Sequence, residues 1–490
     1  MIFSANDIWF NVVSHTTTPI WILLVAMAVG YAATRTSSSG PQKPSQSWGI
    51  WLEEVILQRN RGPYSVRDGD EEVLNVFPGW AVRRQRSDGS EVIDVNISGY
   101  ASIRRNPENT LLSLRGSVWL AKKLLKIPKT EISAMGINQS GKRSSTEKLL
   151  KRLHLNLSHR FGLLWADPLV GQNVNIEIYA VASRSEVSEV TQNITSSQQG
   201  TKFSSTQATT SPDGSFTCSF RMDWQGPRQD PSRNEIELLI KTHSMSSVET
   251  SMTATCRIPV TKASLRVVSD VDDTVKNSGV PSGRQTILRN VFCSDVADTV
   301  IPEVSEWYRH LYNRGIRFHY VSNGPLAYAN VLEEFLLVSK LPLGSITLRS
   351  FTGRLWKEID RSTAAVRKYD SVVKVLDGFP EARFILIGDS GEMDLECYAN
   401  LAHDRPHQIA AVLLRDADTL TISGPTALDD PTASNPPERS VGWARDRRAA
   451  VQKRLYEARS YIPPHIPLRV FRHPDECVEL DQIIDATKDS

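Results

Sequence analysis

From Leu265 onward, short continuous apolar runs alternate with stretches of helical spacing, and that alternation leaves few folds open. LRVVSD, IRFHYVS, FILIGDS and IAAVLLR read as strands, whereas Pro302–Asn313, Ala327–Val338, Thr363–Leu376 and Glu392–Leu401 read as helices. A strand that is apolar along its whole length has both faces covered. The expectation is therefore an α/β domain over residues 264–490, a parallel sheet with helices on both faces. Asp416–Arg439 reads as a polar loop, and Trp443–Arg459 as a basic helix before a short tail.

Upstream the pattern is different. Residues 163–263 carry strand-like runs such as VNIEIYAVA, GSFTCSFRMDW and NEIELLIKTHS, which suggest a small β-sandwich-like domain. A Ser/Thr/Gln-rich stretch, Ser185–Ser211, reads as a long loop. Residues 48–162 read as an α+β region. It has a short helix at Trp48–Gln58, strands over Glu71–Ile103, and basic helices at Thr110–Ile127 and about Thr146–Arg160. Those helices suit either an anionic membrane surface or an ordinary solvated face.

Residues 1–47 stand apart. Ile20–Ala33 is an uncharged, apolar run, followed by a linker of flexible composition. The run is short for a membrane span, and its basic residues, Arg35 and Lys43, come after it. That reads as a membrane anchor with the body of the protein facing the cytosol. A cleaved secretory signal or an organelle (mitochondrial) presequence is the alternative. The net charge is +2, which gives no case for a nucleic-acid partner. Five widely spaced cysteines without a CxxC pair suit a reduced compartment rather than a disulfide framework.

Ligands of an open parallel sheet bind beyond the carboxyl ends of its strands. After LRVVS comes Asp270-Val271-Asp272-Asp273-Thr274, and after IRFHYV comes Ser322-Asn323-Gly324. After FILIG comes Asp389-Ser390, with Asp394 five residues beyond Asp389, and Lys368 lies in the helix before that strand. Carboxylates gathered at one place repel unless a cation joins them, and hard oxygen ligands suit Mg²⁺. One carboxylate can then attack phosphorus and a second can move the proton. A hydroxyl and an ammonium can hold the phosphoryl oxygens. Asp273 reads as a loop-orienting residue. His310, His319, His403 and His407 form no ligand pair and read as core or surface side chains.

DVDDT with VKNSGV and RNVF, then YVSNGP, then FILIGDSGEMD preceded by Lys368, resembles the actin-patch phosphatidate phosphatase family of the haloacid dehalogenase superfamily. VFPGWAVRR, ISGYASI and VFRHPDE extend the resemblance more weakly. It implies a Rossmann-like phosphatase core and Mg²⁺-dependent hydrolysis of phosphatidate to diacylglycerol at a membrane surface. It implies Asp270 as nucleophile, Asp272 as general acid/base and Lys368 as the charge-stabilising residue. Thr274, Ser322 and Asn323 would support or bind the substrate. Asp270, Asp389 and Asp394, with the backbone carbonyl of Asp272, would hold the metal. Another phosphomonoester substrate, or a membrane-tethered adaptor with an inactive core, are the competing readings. The β-rich region is a candidate surface for protein partners.

Overall fold

The computed structural model describes residues 70–104, 152–153, 155–157, 159–160, 163, 166–182, 201–224, 236–245, 251–280, 284–349, 361–391, 393–417 and 442–488. The apolar run 20–33, its linker, Trp48–Gln58, Thr110–Ile127 and nearly all of Asp416–Arg439 lie outside the described residues.

Eight strands make the first sheet: β1 (Glu71–Gln85), β2 (Glu91–Arg104), β3 (Asp167–Pro168), β4 (Asn173–Ala182), β5 (Thr201–Thr209), β6 (Ser215–Asp223), β7 (Ile236–Met245) and β8 (Ser251–Thr261). Their order is β3-β2-β1-β8-β7-β4-β5, with β6 also paired to β2. Two expectations are corrected here. Residues 71–104, assigned by sequence to a separate α+β region, share this sheet with residues 167–261, because β2 pairs β6 from Val92↔Asp223 to Tyr100↔Ser215. The strands form one sheet rather than two packed ones. Its apolar face, including Val95, Ile97, Ile176, Ile178, Leu238, Ile240 and Ile258, closes on itself as a core. The Ser185–Ser211 loop is also shorter than expected. Residues 201–209 pair antiparallel with β4, with Lys202, Ser205, Gln207 and Thr209 exposed and Phe203, Thr206 and Ala208 half-buried, a strand with one wet face.

The second sheet is built from β9 (Leu265–Ser269), β10 (Arg317–Pro325), β11 (Gly344–Arg349), β12 (Arg383–Asp389), β13 (Ile409–Arg415) and β14 (Leu468–Phe471). All adjacent pairs are parallel, in the order β11-β10-β9-β12-β13-β14. The chain winds outward from β9 in one direction, then restarts beside β9 at β12 and winds the other way. A crevice opens at such a switch point, between the carboxyl ends of β9 and β12.

Helices α1 (Pro302–Asn313), α2 (Ala329–Val338), α3 (Arg361–Gly378), α4 (Asp394–Asp404), α5 (Gly442–Tyr461) and α6 (Glu479–Lys488) cover this sheet. One core gathers Val372, Leu376, Leu395, Leu401, Val451 and Leu455 against Val268, Leu386 and Val412. The other gathers Val304, Tyr308, Phe335, Leu336, Leu480 and Ile484 against Val267, Ile387 and Leu413. So α3, α4 and α5 lie on one face and α1, α2 and α6 on the other. β11, β14 and α6 have no counterpart in the sequence reading. Each is short, and only pairing or docking distinguishes it from loop.

The two sheets meet through residues of VFPGWAVRR. Trp80 packs on Phe379 with ring centroids 5.5 Å apart, and a Cβ on Gly378 would stand 2.9 Å from the Trp80 ring. Arg84 Nη2 donates to the Gly378 carbonyl at 2.8 Å. Phe77 and Tyr100 pack with Leu326 and Ala329, at the start of α2. The basic segment near residue 160 is not simply a membrane-facing or solvated surface. Arg160 is buried, and its Nη1 donates to the carbonyls of Val291 and Ser294, both at 2.8 Å.

Candidate active site

At the switch point, the end of β9 is tied to β12 by the Asp270 N–H donating to the Ile387 carbonyl at 2.8 Å. The chain then curls through a tight turn, with Val275 N and Lys276 N both 3.1 Å from the Val271 carbonyl. That turn sets Thr274 beneath Asp270, where its Oγ1 donates to Asp270 Oδ2 at 3.1 Å. Asp273 takes the left-handed backbone conformation (φ +57°), and its carboxylate accepts the N–H groups of Ser278, Gly279 and Val280 at 3.0, 2.8 and 2.6 Å. Burial outweighs those donors and pushes its carboxyl up to about 6. Asp273 thus shapes the loop and directs its carboxylate into backbone rather than toward a substrate.

Asp270, Asp389 and Asp394 each place a carboxylate oxygen within 4.8 Å of the other two, and none is more than 2% exposed. Lys368 reaches in from α3. Its Nζ is 2.6 Å from Asp270 Oδ1 and also bonds Asp394 Oδ1. Asp394, first residue of α4, turns its other oxygen back to the Asp389 N–H at 3.2 Å. Burial drives the Asp270 carboxyl up to about 8, with Lys368 pulling against it and Asp394 and Asp272 pushing the same way as burial. Three buried carboxylates facing one ammonium make a site short of positive charge. The hard-oxygen donor set fits a small divalent cation such as Mg²⁺.

Asp272 lies outside this trio and faces the opening. Ser278 Oγ donates to its Oδ1, and Ser322 Oγ approaches its Oδ2 at 3.3 Å. Ser322 in turn accepts the Gly324 N–H at 2.9 Å, and Asn323 is half-buried beside it. The site residues singled out in the sequence therefore converge on one sheet edge. Of the histidines, His319 is buried and bonded to Ser345 at 2.7 Å; His473, not singled out, pairs with Glu303 at 2.9 Å on the surface.

Four supporting residues escaped the sequence reading. Ser278 and Lys276 sit in the quoted VKNSGV, but only the fold of the turn aims them at Asp272. Arg415 Nη1 donates to the Asp273 carbonyl at 2.6 Å. Gly388 has no side chain where a Cβ would stand 2.2 Å from Asp394 Oδ2. Gly388→Ala is accordingly expected to expel the Asp394 carboxylate from its seat. It should cost about 1–3 kcal/mol of stability and at least ~100-fold of turnover. Thermal melts and phosphate-release rates read both effects.

Residues 265–416 match the family described as "Phosphatidate phosphatase APP1, catalytic domain". Over 150 residues the chain is 39% identical to Phosphatidate phosphatase APP1 of Saccharomyces cerevisiae, covering 30% of this chain and 25% of that protein. An uncharacterized protein of Schizosaccharomyces pombe is 34% identical over 153 residues, covering 31% of this chain and 25% of that protein. The chain thus spans about a quarter of the length of the curated relatives it matches. Among solved structures, a β-glucuronidase of Parabacteroides merdae aligns at 7% identity over 81% of this chain and 49% of that one, and its TM-score of 0.24 supports no shared fold. Residues 265–416 are thus similar to the phosphatidate phosphatase APP1 catalytic-domain family.

Proposed function

We propose that this domain is a Mg²⁺-dependent phosphatidate phosphatase with a haloacid dehalogenase-type core. The observation that carries the reading is the buried trio Asp270, Asp389 and Asp394 with Lys368 at the switch point, inside the segment that matches the phosphatase family. Asp270, Asp389 and Asp394, with the backbone carbonyl of Asp272, would hold Mg²⁺. When bound, the ion supplies charge that neutralises the carboxylates and the phosphoryl oxygens.

The chain's own groups divide the remaining work. Asp270 Oδ attacks phosphorus as the ester bond breaks, leaving an aspartyl-phosphate, and Asp272 gives its proton to the departing oxygen. Asp272 then takes a proton from water, which releases phosphate and restores Asp270. Ser322 and Lys368 hold the phosphoryl oxygens while charge spreads over them. Phosphatidate is a membrane lipid, so the reading requires contact with a bilayer surface, and the apolar run 20–33 would serve as a tether. No helix among the described residues is long and apolar enough to cross a membrane.

Phosphate release from phosphatidate in detergent micelles tests the reading. The full chain is expected to be active with Mg²⁺, silent with a chelator, and restored by excess Mg²⁺. An aryl phosphate hydrolysed as fast as phosphatidate would overturn the lipid assignment. Activity undiminished by chelation would overturn the metal assignment.

A further inference from the structure

Lys276 differs from the other buried lysine of the site in one respect. Lys368 is saturated by two carboxylates, whereas the ammonium of Lys276 makes its one ion pair among the described residues with Asp272 Oδ1, at 4.0 Å. That is beyond hydrogen-bond reach. Its side chain is 12% exposed, beside an Asp272 side chain that is 30% exposed, so both stand at the opening of the site.

The position of Lys276 is fixed. Its N–H donates to the Val271 carbonyl at 3.1 Å, its carbonyl accepts the Asp273 N–H at 2.7 Å, and it bridges Asp272 on one side and Val300 on the other. Asp272 does not need it for orientation, because the hydroxyls of Ser278 and Ser322 already hold the two carboxylate oxygens. Of the charges around it, the Asp272 and Asp273 carboxylates favour the ammonium and the Arg160 guanidinium opposes it. The Lys276 ammonium is thus largely enclosed, with no hydrogen-bonded counter-ion among the described residues. A purely structural role explains this poorly. An incoming anion resolves it.

We propose that Lys276 is a substrate-binding residue, whose ammonium takes an anionic phosphoryl oxygen of a phosphomonoester on the Asp272 side of the site. This rests on the phosphatase reading above and deepens it. It adds to the Lys368–Asp270 arrangement a cation that is not consumed by protein carboxylates. The dianionic phosphomonoester is thereby favoured over a monoanionic diester, which offers less charge to a second ammonium.

The full chain carrying K276Q, K276M or K276R tests it in the presence of Mg²⁺. Two readouts are used: steady-state kinetics on phosphatidate in micelles, and thermal-shift titration with inorganic phosphate, which needs no turnover. K276Q and K276M are expected to raise KM and to weaken phosphate binding by about tenfold each, with kcat changed much less, and K276R to recover most of both. Equal phosphate binding by wild type and K276Q would overturn the proposal. So would an unchanged KM with a lowered kcat and a displaced pH profile, which would make Lys276 a positioning residue for Asp272. A wild-type chain that binds phosphate through Lys276 but releases none from any phosphomonoester would sink the phosphatase reading while leaving this one standing.

Discussion

Asp270→Asn is expected to reduce phosphate release by about a thousandfold or more, since an amide cannot attack phosphorus as the carboxylate does. The variant should nonetheless fold. Asn keeps the shape of Asp; its one oxygen can accept from Lys368 Nζ, its NH2 can donate to Thr274 Oγ1 in place of the bond that Oδ2 accepted, and Lys368 keeps Asp394. Stability then supplies a second, independent reading. In the metal-free chain the Asp270 carboxyl is raised by burial to about 8, from an ordinary value of 3.8. The native state therefore holds a proton there that the unfolded chain releases. That contribution is fully present below about pH 4 and is lost as pH rises through about 8. Without Mg²⁺, the wild type should lose melting temperature across this window and D270N should lose much less. The two should converge near pH 4, and D270N should melt higher at pH 8. Adding Mg²⁺ should stabilise the wild type more than D270N. A D270N chain that matches wild-type turnover would remove Asp270 as nucleophile. One that matches wild-type pH dependence would show that its charge is not what strains the native state.

The elements that the sequence displayed plainly are those whose side chains carry their own periodicity. FILIGD and IAAVLLR are apolar at nearly every position and LRVVS is buried along its whole length, because helices cover both faces of β9, β12 and β13. Pro302 opens α1 where a missing N–H costs nothing, and that helix has the bounds the sequence suggested. The acids were legible for a related reason. A polar residue directly after such a run has no place to go but the sheet edge, so Asp270, Ser322 and Asp389 announce themselves.

What stayed hidden depends on contacts across long stretches of sequence. Residues 71–104 join the β-rich sheet through β6, more than a hundred residues later, and nothing in the local pattern of β2 names that partner. The same holds for Arg454. It lies on a helix that reads simply as basic, yet Nη2 bonds Glu396 at 2.7 Å and Nη1 reaches the Ser390 carbonyl at 3.4 Å, next to Asp389 in the chain. Arg160 reads as surface charge for want of the Val291 and Ser294 carbonyls that fold over it. Register and docking decided these cases, and a single strand or helix carries too little information to fix either.

Lys368→Met should show the largest loss of stability among single changes at the site. The ammonium is 1% exposed and faces Asp270 and Asp394, whose side chains are 3% and 1% exposed. Methionine matches its length without its charge, so packing is largely kept and the electrostatics isolated. Removing one partner of a buried ion pair costs about 3–5 kcal/mol, because the remaining charge has no water to return to. Turnover should fall by about 100-fold or more, since the proposed donor to the phosphoryl oxygens is removed. The two losses can be separated. A divalent cation held by Asp270, Asp389 and Asp394 would compensate the acids whether or not the ammonium is there. Saturating Mg²⁺ should therefore return much of the lost melting temperature to K368M and little of the lost turnover. Lowering the pH, which favours the neutral form of the stranded Asp270 carboxyl, should likewise narrow the stability gap to wild type. If K368M were as stable as wild type at pH 8 in chelator, the buried ammonium would contribute nothing to holding Asp270 and Asp394 in place, and the electrostatic account of this sheet edge would fail.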